Sequence, residues 1–130
     1  MGQNKMNHLV DTDILIELSK GNPKALEFVE NLEYIHISII SAIELIAGAR
    51  NKIEVKVIEE FISRFEKVFI TEEISLKSYE LFKLYSLTGG LSIPDAFIAA
   101  TSITKNLILC TNNLKHFKSI NGIKIKSMTN

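Results

Sequence analysis

Short apolar runs, each halted by polar residues and followed by a stretch with helical spacing, recur along the whole chain. His8-Leu9-Val10 reads as a first strand stopped by Asp11-Thr12-Asp13, after which Ile14, Leu15, Ile16 and Leu18 continue as a short helix ending near Gly21. Pro23 opens a second helix, with Leu26, Phe28, Val29 and Leu32 suited to one buried face. Tyr34 to Ile39 then alternates in the manner of a strand. Ser41 begins the next helix, which carries Glu44 and Leu45 and ends near Gly48.

Residues 53–66 place Ile53, Val57, Ile58, Phe61, Ile62 and Phe65 at helical spacing, a pattern of core packing and not of a cofactor box. Val68-Phe69-Ile70 is the third expected strand. Ile74 to Leu87 forms an amphipathic helix, and Thr88-Gly89-Gly90 supplies a turn. Ser92-Ile93-Pro94-Asp95 starts a helix whose small residues Ala96, Ala99 and Ala100 allow close approach to a sheet. Leu107 to Cys110 is a fourth strand, Thr111-Asn112-Asn113 a turn, and Ile123-Lys124-Ile125 a fifth strand at an edge, where lysines are tolerated. With strands and helices alternating and no repeat or linker visible, residues 1–130 are expected to form a single α/β domain with a mostly parallel sheet.

Composition sharpens this only in part. A chain of 130 residues, 46% hydrophobic and 23% charged, can bury enough surface to fold without a metal or a disulfide. A metal, if bound, would therefore serve function. The single cysteine, Cys110, ends an apolar run and suits a buried thiol in a reducing, intracellular setting. No apolar stretch reaches the roughly 20 residues of a membrane span. The polar start Met1 to His8 lacks a signal-peptide core, so no membrane association and a cytoplasmic location are expected. A formal net charge of zero argues against a general nucleic-acid coat protein. The charge is nevertheless uneven: no acidic residue follows Asp95, whereas Lys105, Lys115, Lys118, Lys124 and Lys126 do. That segment is either a phosphate-contacting surface or a solvated lysine face.

Three acids, Asp11, Glu44 and Asp95, each follow a strand-like run at a loop or helix start. Taken singly, each has a bland explanation. Ser41-Ala42-Ile43-Glu44 and Ser92-Ile93-Pro94-Asp95 both fit a serine-capped helix start with an acid three positions on, and Asp11 or Asp13 can cap the first helix. Capping does not require convergence, however. In a parallel sheet all three acids would face one crevice at the carboxyl edge of the strands. Carboxylates gathered there repel, and a hard cation such as Mg²⁺ or Mn²⁺ relieves the repulsion, with helix starts favouring the ionised forms of Glu44 and Asp95. His8, His36 and His116 show no paired metal-ligand spacing and read as structural or exposed, which disfavours zinc. The chain has no Gly-x-Ser-x-Gly elbow and no phosphate-binding Gly-x-x-x-x-Gly-Lys loop.

Four phrases, Leu9 to Ile16 (LVDTDILI), Ile40 to Leu45 (ISAIEL), Ser92 to Ala100 (SIPDAFIAA) and Cys110 to Phe117 (CTNNLKHF), resemble the PIN-domain family, especially its VapC-type toxin nucleases. They stand in the family's order and span nearly the whole chain. The resemblance implies a PIN-like three-layer α/β/α sandwich that hydrolyses RNA phosphodiesters with Mg²⁺ or Mn²⁺. It also implies a homodimer inhibited by a small antitoxin protein. By the same resemblance Asp11, Glu44 and Asp95 are the metal-binding and catalytic acids. The fourth acidic position falls on Asn113, an amide able to lend a neutral oxygen but no charge, which puts a second metal in doubt. Asp13 either returns some of that charge or caps the first helix, the cap being favoured. Ser41 and Thr111 match hydroxyl residues that orient the ligands. Two competing readings remain at this point. One is a PIN-like module that binds RNA or protein without cutting. The other is a phosphoacceptor receiver domain, which would need an Asp directly after its central strand; Val68-Phe69-Ile70 is followed by Thr71-Glu72-Glu73 instead.

Overall fold

A computed structural model describes residues 6–128, so the start of the polar leader, residues 1–5, lies outside the described residues. Five strands, β1 (His8–Val10), β2 (Ile35–Ser38), β3 (Glu66–Val68), β4 (Ile108–Cys110) and β5 (Ile125–Lys126), form one sheet in the order β3-β2-β1-β4-β5. All four pairings are parallel, with Leu9 opposite both His36 and Leu109. Parallel neighbours need long crossovers, and helices supply them. These are α1 (Thr12–Ser19), α2 (Pro23–Glu30), α3 (Ile39–Ala47), α4 (Lys52–Ile62), α5 (Glu72–Gly89), α6 (Ile93–Thr104) and the single turn α7 (Leu114–Phe117).

Strand side chains alternate between faces, so adjacent residues of β1 and β4 build two different cores. Leu9 and Leu109 are fully buried against Ile74 and Leu81 of α5, Ala96, Ala99 and Ala100 of α6, and Phe117 of α7. Val10 and Cys110 face the other way, into a cluster with Ile14, Leu15, Val29, Ile37 and Leu45. The sheet is thus the middle of three layers, a PIN-like α/β/α sandwich. Its central strands are mostly apolar, with His8, His36 and Ser38 as their polar residues, which fits strands buried on both faces.

The strand order reverses beside β1: the chain walks outward through β2 and β3, then returns to add β4 and β5 on the other side. Such a reversal opens a crevice at the carboxyl ends of β1 and β4. It also removes the receiver-domain reading, because that fold keeps its third strand central and here β3 is an edge.

Several local expectations are corrected. The fifth strand, expected at 123–125, lies at Ile125–Lys126, where pairing with Leu109 and Cys110 sets its register. The third strand lies at Glu66–Val68 and not at 68–70, because its register is set by pairing Glu66, Lys67 and Val68 with His36, Ile37 and Ser38. An edge strand tolerates Glu66 and Lys67, while Phe69 is left exposed. The helix bearing Glu44 starts at Ile39, capped by Ser38, whose Oγ accepts from the Ile40 N–H at 3.0 Å. Ser41 is therefore inside α3 and caps nothing. Finally, the segment after the expected turn at 111–113 holds the single helical turn α7, for which no element was expected.

Candidate active site

β1 ends at Val10, and the next residue, Asp11, turns the chain into α1. Its backbone N–H donates to the Cys110 carbonyl at 2.9 Å, which ties it to β4. Asp11 is the N-cap of α1: Oδ1 accepts from the Thr12 N–H at 2.8 Å, while Oδ2 accepts from Thr111 Oγ1 at 2.8 Å. Thr111 follows β4 directly and is fully buried, so a hydroxyl from one strand end holds a carboxylate from the next. The favoured assignment of the cap to Asp13 is thereby corrected. Asp13, in the first turn, accepts from the Ile14 N–H through Oδ1 at 2.7 Å and also reaches across to the β4–α7 loop, where Oδ2 accepts from the Asn112 N–H at 3.0 Å and lies 3.4 Å from Thr111 Oγ1.

Asp95 comes from a third direction, the first turn of α6. Ser92 caps this helix as expected, its Oγ accepting from the Asp95 N–H at 3.2 Å, but the Asp95 carboxylate does not return the bond. Oδ2 faces His116 Nδ1 of α7 at 3.0 Å. Pro94 sits in the first turn, where its missing N–H costs nothing, and Ala96, Ala99 and Ala100 bring α6 close to the sheet.

Glu44 lies in the second turn of α3, beyond the helix start that the sequence suggested for it. Its Oε1 accepts from Thr12 Oγ1 at 2.7 Å, and Thr12 Oγ1 is 2.8 Å from Ser41 Oγ. Thr12 has one hydroxyl proton, so it donates to the carboxylate and receives from Ser41. Ser41 is fully buried and acts on Glu44 only through Thr12. An open groove of about 740 Å³ leads away from Glu44 between α1, α2, α3 and α4, with Ile16, Leu26, Leu45, Phe61 and Arg64 among its lining.

The electrostatics are those of crowded, partly dried carboxylates. Asp11 is pushed up to about 7, chiefly by burial and then by the charges of Asp13 and Asp95, against the opposing hydrogen bonds from Thr111 and Thr12. Asp13 is also raised, again by burial first, with hydrogen bonds from Asn112, Ile14 and Thr111 working the other way. Burial likewise pushes the Cys110 thiol up to about 12, consistent with an inert core cysteine.

The structure therefore brings Asp11, Asp13, Asp95 and Thr111 to one crevice and places Glu44 and Ser41 beside it through Thr12. Asn113 is at the same edge, but its amide Nδ2 lies 2.9 Å from His116 Nδ1. Among the described residues, no three His, Cys, Asp or Glu side chains close around a point as they stand, so the acids line an open crevice. The donor set is nonetheless all oxygen, carboxylates with hydroxyls behind them, which is the chemistry a hard divalent cation requires. Sequence reasoning missed Thr12 and His116. Thr12 could have been flagged as a hydroxyl between two acids, whereas His116 stands 21 residues from its partner Asp95 with no local signal.

The parallel sheet, with carboxylates from separate elements at its switch point, defines an α/β protein with an acidic crevice at the carboxyl ends of its strands. Residues 8–123 match the PIN domain model, and the chain belongs to the PIN domain family. It is 37% identical over 120 residues to Ribonuclease VapC1 of Methanocaldococcus jannaschii, covering 90% of this chain and 85% of that protein. It is 29% identical over 128 residues to the tRNA(fMet)-specific endonuclease VapC of Salmonella typhimurium, covering 93% and 97%. Among solved structures, a toxin–antitoxin complex from Klebsiella pneumoniae superposes with a TM-score of 0.80 at 31% identity, over 94% of this chain and 98% of that one.

Proposed function

We propose that this chain, a single nuclease unit, is a divalent-metal-dependent endoribonuclease that acts in the cytoplasm as the toxin of a toxin–antitoxin pair. The observation that carries the reading is the convergence of Asp11 and Asp95, from different elements, on the crevice between β1 and β4, with Glu44 next to it. The ribonuclease names of relatives that align along most of the chain support the same conclusion.

In this reading Asp11 and Asp95 hold the principal Mg²⁺ or Mn²⁺, and Asp13 and Asn113 lie at its margin. When bound, the cation neutralises charge on the scissile phosphate and makes water acidic enough to attack near neutral pH. The protein's own part is to hold the reactants. Thr111 fixes Asp11 Oδ2 and the Thr12 N–H fixes Oδ1, so the carboxylate is held in one orientation and each oxygen keeps a further lone pair that a cation would use. Thr12 fixes Glu44 Oε1, leaving Oε2 to accept a proton from the attacking water. The water oxygen would bond to phosphorus as the P–O3′ bond breaks, and the leaving O3′ would take a proton from solvent, giving a 5′-phosphate and a 3′-hydroxyl.

The partners follow from similarity and from two surfaces. The groove leading from Glu44 offers an antitoxin a largely apolar surface continuous with the acids. Leu76, Tyr79, Leu84 and Leu87 form an exposed stripe on α5, suited to self-association as a homodimer.

The test is cleavage of a mixed pool of structured and single-stranded RNA with Mn²⁺, with EDTA and with Asp95→Asn. The expected result is Mn²⁺-dependent cutting with 5′-phosphate ends, abolished in a variant that still unfolds cooperatively. Undiminished cutting by Asp95→Asn would sink the assignment. Mn²⁺ binding without cutting would favour a non-cleaving RNA- or protein-binding module.

A further inference from the structure

The reaction above makes no use of His116, although its Nδ1 lies 3.0 Å from Asp95 Oδ2. α7 is a single turn, but Phe117 anchors it in the core with no exposure, so the neighbouring ring has a fixed base. The same Nδ1 is 2.9 Å from the Asn113 amide nitrogen. One ring nitrogen cannot donate to Asp95 and accept from Asn113 at once. A carboxylate oxygen only accepts, so Nδ1 carries the proton. The Asn113 amide is then turned to present its oxygen in the place of its nitrogen, an exchange that leaves the shape of the side chain unchanged.

Resting on the reading that Asp95 holds the cation, we propose that His116 is a positioning residue for Asp95: its Nδ1–H occupies Oδ2 and leaves Oδ1 as the oxygen presented to the metal. Without it, the two carboxylate oxygens are interchangeable by rotation about the last side-chain bond. With it, one is committed to the protein and the other is aimed. Asn113, where the resemblance expected a fourth acid, then serves the imidazole instead of the cation. The Asp95 side chain is only 17% exposed, so little water competes for Oδ2. A hydrogen bond behind a metal ligand typically carries about 10- to 100-fold in metal affinity, a size that binding measurements resolve easily.

Two measurements test this. Long-range nitrogen–proton correlation spectra of the metal-free protein, above neutral pH, should show the His116 ring protonated on Nδ1 and bare on Nε2. An Nε2–H ring overturns the proposal. The second is a calorimetric Mn²⁺ titration of wild type, His116→Ala, His116→Asn and His116→Gln, each first checked for cooperative unfolding. An Asn amide nitrogen falls near the place of Nδ1, and a Gln amide nitrogen near that of Nε2. Ala and Gln should weaken Mn²⁺ binding by about 10- to 100-fold, and Asn should recover most of the loss. Equal affinity of His116→Ala and wild type overturns the positioning role while leaving the metal site standing. If the Ala variant does not fold, equal affinity of the Asn and Gln variants overturns it. Absence of Mn²⁺ binding by wild type overturns both the metal site and this inference.

Discussion

Asp11 shows how one residue carries both the site and a cost to the fold. The residue is 4% exposed, and its carboxyl is held by Thr111 and Thr12 and pushed up to about 7 by burial and by neighbouring acids. A carboxyl raised in the folded state binds its proton more tightly there than in the unfolded chain. Its favourable contribution is therefore complete below about pH 4 and is lost as pH rises through 7. Asp13, also raised, adds to the same trend. Urea unfolding of the protein in EDTA should thus show stability falling between these limits by a few kcal/mol, with Asp11→Asn removing most of the fall. Mn²⁺ should cancel it, since the cation takes the place of the proton. Stability that rises over this interval in EDTA would contradict the crowding of the acids. At this scale the sequence was informative where a residue's role is set by its neighbours in the chain. Asp11 and Asp95 could be singled out because each ends a strand-like run or opens a helix. His116 could not, because its contact with Asp95 exists only once α7 folds back against the start of α6.

Elements were legible as far as local chemistry decides them. Ser92-Ile93-Pro94 is a sufficient start signal for α6, and the helix begins at Ile93 with Ser92 as its cap. The start of α3 was not decided locally, since serines at 38 and 41 both offer a cap. Tertiary structure chooses Ser38: β2 must end there to pair with Val68, and Ser41 is needed in the interior against Thr12. The third strand slipped for a related reason, its position being set by pairing partners that periodicity does not show. The end of α5 is again local. Gly90 adopts the left-handed conformation at φ 67°, with its N–H donating to the Tyr85 carbonyl, and a Cβ there would meet nothing within 4 Å. Gly90→Ala should therefore cost only the backbone penalty, about 1–2 kcal/mol in urea unfolding. Gly48, at φ −80°, provides the contrast, and Ala there should cost less. Equal effects would mean that the α5–α6 turn is not held by its left-handed residue.

For the whole molecule, alternation of strands and helices announced a parallel α/β sandwich, but not the order β3-β2-β1-β4-β5. That order is what makes the acids meet, because it sets β1 beside β4 and puts Asp11 within reach of Thr111, 100 residues away. The zero net charge also conceals a lysine-bearing segment beside this acidic crevice. Lys115 lies on α7 beside His116, and Lys118 caps the end of that turn, both exposed on the side of the sheet where Asp95 stands. Charges so placed would offset the repulsion between the carboxylates and a phosphate backbone and would act on binding before chemistry. Replacing both with Ala should raise KM for RNA several-fold and leave the rate at saturation unchanged. The salt dependence should lose about 0.7 in logarithmic slope for each single-strand phosphate contact removed. An unaltered slope would make these lysines a solvated face and move the electrostatic footprint of the RNA elsewhere. A loss of rate at saturation with KM unchanged would mean instead that α7 acts on the acids themselves, through His116 and Asp95.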